Sequence, residues 1–149
     1  MNNFFINSND YITFLYQIFV YSFIHGGFLH LFFNSFFIYI FGNQIEENIG
    51  SKNFLLFFIL NTLFLSFCLL YFSPYSTTVG ISGFAMAILS FYTLKLKEIG
   101  NPDYKGGITG LVINILIGFS DKISLVGHLF GGVFGVIFFY VLKLFKKYE

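Results

Sequence analysis

The chain has 149 residues, of which 56% are hydrophobic, 23% aromatic and 10% charged, with a net charge of +1. A soluble domain carries about 25% charged residues, so this chain cannot cover a water-facing surface and lipid must be its solvent. The small net charge leaves no nucleic-acid footprint, and the single cysteine, Cys68, excludes an internal disulfide and reads as a small packed side chain.

The first ten residues are mostly polar and carry no Lys or Arg, which is not the pattern of a cleavable signal peptide. Tyr11 to Ile24 is apolar and aromatic but too short to span a bilayer. We read it as an interfacial segment lying against the membrane, within an N-terminal region 1–24. Five apolar stretches follow. The first, about 24–41, stops at Gly42-Asn43 with Glu46 and Glu47 beyond. The second, 54–72, is uncharged and ends at Ser73-Pro74. The third, 79–95, fades at Lys95. The fourth, 107–119, is short, and the fifth, 123–142, ends in Lys143, Lys146 and Lys147. A spanning helix needs about 20 apolar residues, so four stretches qualify or nearly do, and the fourth is marginal. No internal repeat or low-complexity tract is present. The expected fold is one all-α polytopic membrane domain over residues 1–149 with about five transmembrane helices.

Lysine placement predicts orientation. All eight basic residues are Lys. With five spans and the C-terminus cytoplasmic, Lys52, Lys95, Lys97, Lys105, Lys143, Lys146 and Lys147 lie inside and Lys122 outside, a clear positive-inside bias. The third and fifth spans then both enter from the outer face. Ser82 near the start of one and His128 near the start of the other share a side and a comparable depth.

Polar groups at such depth are costly and usually functional. Ser82 lies in Gly80-Ile81-Ser82-Gly83. Backbone N–H groups at a helix start lack intrahelical partners and favour negative charge, so an oxyanion formed there would be stabilised. The glycines permit close approach of backbone to substrate. The plain alternative is a helix cap. His128 sits beside Gly127, Gly131 and Gly135, which are spaced by four and form one bare helix face. Gly83 and Ala87 repeat that spacing on the third span, so two backbones can pack closely and bring imidazole to hydroxyl. Helix packing alone is the competing reading of these glycines. His30 and Asn34 are four apart and share a face. Both can donate to an oxyanion, or act as polar glue between helices. A metal site is disfavoured: His-Glu-x-x-His is absent, as is a carboxylate within the membrane. Asp10, Glu46, Glu47, Glu98, Asp103 and Glu149 flank spans, and Asp121 lies about two helical turns above His128, so the chemistry expected is a Ser–His dyad.

These residues together resemble the rhomboid family of intramembrane serine proteases. The resemblance covers roughly residues 16–142. It rests on His25, His30 and Asn34, on Gly80-x-Ser82-Gly83, on Gly127-His128-x-x-Gly131-x-x-x-Gly135, and on Gly42…Glu46…Gly50-Ser51. It implies Ser82 as nucleophile and His128 as general base. His30, Asn34 and the Ser82 N–H would form an oxyanion hole, and His25, Gly80, Gly83 and Met86 would line the active-site cavity. It further implies single-pass membrane proteins as substrates, cut near the outer face of a plasma or cell inner membrane, with no cofactor and no metal. The family core has six spans, so the expected counterpart of its first outer loop here is Tyr11–Ile24. Tyr16-Gln17 stands in place of a Trp-Arg pair, Asn48 in place of an Arg, and Met86 in place of an aromatic. Two other readings stay open. One is a rhomboid-like protein, weakly active or inactive, that binds membrane helices without cutting them. The other is a small channel or transporter subunit, for which no inverted repeat or line of charges speaks.

Overall fold

The computed structural model describes residues 11–146 apart from Thr77, Asp121 and Lys122. Within them the regular elements are helices: α1 (Tyr11–Val20), a 3-10 turn (Tyr21–Phe23), α2 (Phe28–Phe37), α3 (Asn43–Ile49), α4 (Ser51–Phe72), α5 (Ser82–Glu98), α6 (Tyr104–Ile117) and α7 (Leu125–Lys146). A π-helical turn, Ile38–Gly42, joins α2 to α3, so Phe28–Ile49 is one continuous helix. The sequence reading ends this helix at Gly42-Asn43. Instead, the wider π turn takes Gly42 into the helix, where the side chains of Ile38 and Phe54 close over it, and Glu46 and Glu47 fall within the helix. The break comes at Gly50, whose φ of +82° suits glycine and whose N–H donates to the Glu46 carbonyl at 2.7 Å.

Three helices, Phe28–Ile49, Ser51–Phe72 and Leu125–Phe145, are long and apolar enough to cross a bilayer. At about 1.5 Å per residue, 22 helical residues extend ~33 Å, against a hydrocarbon core of ~30 Å. Helix α5 has 17 residues and α6 has 14, and no residue of α6 is fully buried. Tyr11 to Phe23 is folded as a short helix and turn rather than a span, as its length requires. Asp10, Asp121, Lys122, Lys147 and Glu149 lie outside the described residues.

The most extensive helix pairing is α5 with α7. The two run parallel: Gly83 meets Gly131, Ala87 meets Gly135, and at the far ends the Glu98 carboxylate meets Lys143 at 2.6 Å. A Cβ on Gly131 would stand 2.1 Å from the Gly83 carbonyl oxygen, and one on Gly135 2.2 Å from that of Ala87. Lipid tails are as apolar as Phe, so helices in a bilayer gain mainly from close van der Waals contact, which bare glycine faces allow. Around this seam lies an aromatic core from α4, α5 and α7. Phe57, fully buried, stacks on Phe138 with centroids 4.3 Å apart and meets Phe84 edge-on at 5.1 Å.

Glu98 also takes Lys95 at 3.2 Å. The hydrogen bonds from Lys143 and then Lys95 hold its carboxyl below the usual Glu range. Stabilisation from this pair is therefore present above the unfolded carboxyl's pKa and fades as pH falls through the lower folded one. The exposed setting keeps this contribution small.

Two predictions follow from this packing. Gly135→Ala forces a methyl against backbone and should lower stability in detergent by about 1–3 kcal/mol. Gly106→Ala, with open space around it, should be neutral or stabilising by up to about 1 kcal/mol. Thermal melting of both variants checks this. In Lys143→Ala, Glu98 should titrate at a higher pH than in the parent, read by carboxyl NMR, with little change in melting temperature at neutral pH.

Candidate active site

Residues 79–81, which the sequence reading places in the third span, form the loop that precedes it, and Ser82 is the first residue of α5. Gly80 has a φ of +109°, a conformation open to glycine and strained for other residues. Its N–H donates to the Tyr21 carbonyl at 2.9 Å. The N–H groups of Phe84 and Ala85 both turn back to the Ile81 carbonyl, which leaves those of Ser82 and Gly83 without an acceptor among the described residues. The cap position is Ile81, not Ser82. The half-buried Ser82 hydroxyl makes no hydrogen bond among the described residues, so capping does not account for it.

His128 lies in the first turn of α7, which the Ser124 hydroxyl caps by accepting the Gly127 N–H at 3.0 Å. The imidazole is buried, at 6% exposure. Its Nδ1 stands 2.9 Å from the Asn114 backbone carbonyl of α6. A carbonyl oxygen can only accept, so Nδ1 carries the proton and Nε2 keeps its lone pair. The residues flanking Ser82 and His128 are in contact through their backbones. A Cβ on Gly83 would be 3.1 Å from the Gly127 carbonyl oxygen. Ser82 and His128 therefore each stand one residue from a close backbone contact of α5 and α7. No hydrogen bond joins them in this structure; such bonds often tighten only around substrate.

Helix α2 supplies the facing wall. The His30 imidazole lies over Gly80, with Cε1 2.7 Å and Nε2 3.1 Å from where a Cβ would be, so only glycine admits it. His25 stands edge-on to His30, ring centroids 5.2 Å apart, and its Nδ1 donates to the Phe23 carbonyl at 3.2 Å. His25 Nε2 and Asn34 Nδ2 are buried without a hydrogen-bond partner. Asn34, at 8% exposure, is a donor pointed at nothing in the free protein, an arrangement that costs free energy unless a ligand accepts from it. Met86 is buried with Ala85 and Leu89 in a cluster that Phe37 and Leu111 pack against. Among the described residues no three His, Cys, Asp or Glu side chains gather as a metal site.

Two participants carry no residue-type signal and escape a reading of the sequence. The Asn114 and Tyr21 backbone carbonyls hold, respectively, the His128 imidazole and the loop before Ser82. The Tyr21 ring is itself fixed on α4, its hydroxyl donating to the Thr62 carbonyl at 3.2 Å. Burial pushes that phenol's pKa upward, so it remains a donor throughout the physiological range.

This arrangement offers a hydroxyl, an imidazole with a free Nε2 and several unpaired donors on one side of the helical bundle, the components of acyl transfer. A family model for the rhomboid domain matches residues 13–145, nearly the whole chain. No curated protein matches the sequence. With its span-length apolar helices, the chain is an integral membrane protein that belongs to the rhomboid family.

Proposed function

We propose that this protein is an intramembrane serine endopeptidase that cuts the transmembrane helices of single-pass membrane proteins near the outer face of the membrane. The observation that supports this most is the backbone contact of Gly83 with Gly127 and Gly131, which sets the first turn of α5 beside an imidazole whose Nδ1 is already engaged. In the proposed reaction, Ser82 Oγ attacks the scissile carbonyl carbon while His128 Nε2 takes the hydroxyl proton. The negative charge formed on the carbonyl oxygen is held by the Ser82 N–H, Asn34 Nδ2 and His30. Collapse breaks the C–N bond, Nε2 returns the proton to the leaving amine, and an ester on Ser82 remains. Water then attacks that ester, giving a proton to Nε2; collapse breaks the bond to Ser82 Oγ, which takes that proton back, and the new carboxyl end of the substrate departs. No cofactor enters any step. The lysine-rich ends of α5 and α7 support a cytoplasmic C-terminus and a site near the outer face.

Two experiments test the reading. Ser82 should react with a fluorophosphonate probe in membranes, and Ser82→Ala and His128→Ala should each abolish the labelling. Labelling that survives Ser82→Ala rejects the assignment, and folded wild-type protein inert to probe and substrate would favour a helix-binding role without cleavage. Asn34→Ala should slow cleavage by roughly 10²–10³ yet leave the melting temperature unchanged or raised, because the amide nitrogen it removes has no partner in the free protein. A polar residue gluing helices together would show the reverse, a lower melting temperature at intact activity per folded molecule.

A further inference from the structure

The sequence offers His128 no carboxylate to orient it, and among the described residues no charged side chain touches it. Among the described residues, the one hydrogen bond of its imidazole goes to a neighbouring helix, to the Asn114 carbonyl of α6 at 2.9 Å. That carbonyl is unusually available. Asn114 is in the last turn of α6, where carbonyls lose their full intrahelical partners. The Gly118 N–H that reaches it at 3.2 Å is shared with the Ile115 carbonyl at 3.0 Å. The Asn114 side chain is turned away, its amide donating to the Gly110 carbonyl at 2.8 Å. Aligned peptide dipoles give a helix C-terminus about half a negative charge, and here that end faces the imidazole.

We propose that the C-terminal end of α6, acting through the Asn114 backbone carbonyl, is the third member of the catalytic group. It fixes His128 as the Nδ1–H tautomer and stabilises the imidazolium that forms when Nε2 takes the Ser82 proton. Asn114 is a positioning residue in this scheme, since it acts through His128 and touches no reacting atom. The inference rests on the Ser82–His128 reading, and it explains how a dyad does without an acidic partner: the oriented end of a helix supplies what a buried carboxylate supplies elsewhere.

The same geometry makes the base depend on how α6 is docked. No residue of α6 is fully buried, and glycines bring it against its neighbours. A Cβ on Gly107 would meet Thr93 Oγ1 at 2.0 Å, and one on Gly118 would meet the Leu125 Cα of α7 at 2.9 Å. A methyl at Gly118 therefore pushes the end of α6 off α7 and lengthens the bond to His128 without touching the imidazole.

The test uses the full chain in detergent micelles with 15N-labelled histidine, above the pH at which imidazole protonates. Replacing Ile115 by its α-hydroxy analogue turns the Asn114–Ile115 amide into an ester and weakens the Asn114 carbonyl as an acceptor. The same change at Leu116 weakens the Ile115 carbonyl and serves as the control, since each ester removes one helical N–H. The wild type and the Leu116 ester should show His128 with a protonated Nδ1 and a bare Nε2. The Ile115 ester should show mixed tautomers, and probe labelling of Ser82 roughly tenfold slower than in the control. An Nε2–H tautomer in the wild type, or two esters that behave alike, would overturn the proposal. If the Ile115 ester does not fold, Gly118→Ala should give the same mixing of tautomers, and a single unchanged tautomer there overturns it as well. A wild type whose Ser82 never labels counts against the protease reading alone; the tautomer spectrum still decides the role of the carbonyl.

Discussion

The contact between α5 and α7 is the constraint from which the site follows. In water, two apolar helices are driven together by burial. In lipid that drive is nearly absent, and what remains is how closely the backbones can approach. Here they approach as far as chains can. The Gly83 and Ala87 carbonyls occupy the space where Cβ atoms of Gly131 and Gly135 would be. Any side chain at those positions pushes the helices apart along their whole shared length. Ser82 and His128 each sit one residue from the Gly83–Gly127 contact, so their separation is set by backbone rather than by flexible side chains. Packing and chemistry are therefore not competing readings of these glycines: the first creates the geometry on which the second depends.

A second support comes from the N-terminal segment. Tyr21 is buried between α4 and the loop before Ser82. Its hydroxyl is anchored on the Thr62 carbonyl and its own carbonyl receives the Gly80 N–H. One turn away, the Ser66 hydroxyl reaches the Ile18 carbonyl, which fixes the same segment on α4 from the other side. The loop before Ser82 thus hangs from the N-terminal segment rather than from the helices that follow it. The Trp-Arg pair that the family commonly carries is Tyr16-Gln17 here, with Tyr16 largely exposed and the Gln17 side-chain Oε1 buried without a partner among the described residues. In this chain the anchoring is carried by Tyr21 and Ser66 instead.

The parts of this fold legible in the sequence are those that depend on residue type at helical spacing. Glycines four apart marked the α5–α7 seam. His30 and Asn34, four apart, marked one face of α2, and the end of the apolar run at Ser73-Pro74 marked the end of α4. The parts that escaped depend on backbone. Gly42 with Asn43 looks like a helix stop, but a π turn widens the helix enough to carry it on to Ile49. Residues 79–81 are apolar or glycine and read as span, yet the positive φ of Gly80 keeps them in a loop. The acceptors at Asn114 and Tyr21 are carbonyls that any residue would provide, so composition and spacing hold no trace of them.

The polar side chains within the helices differ in whether they find an acceptor on their own helix. Thr93, Thr109 and Asn114 each donate to the carbonyl four residues back, on their own helix. This is the standard way a helix in lipid quiets its own polar groups. Asn34 has the same option, with the His30 carbonyl four residues behind it, and its Nδ2 does not take it. The free protein carries the cost of that unpaired donor, of order 1–3 kcal/mol. Its neighbour on the same face, His30, is held against the one glycine that permits its approach. A donor kept from its nearest acceptor, beside an imidazole and across from the open N–H groups of α5, is stabilised only when an acceptor arrives. In the proposed reaction, a carbonyl oxygen gaining charge under attack by Ser82 would be that acceptor, and it would engage these groups most strongly in the transition state, where stabilisation raises rate rather than merely tightening binding.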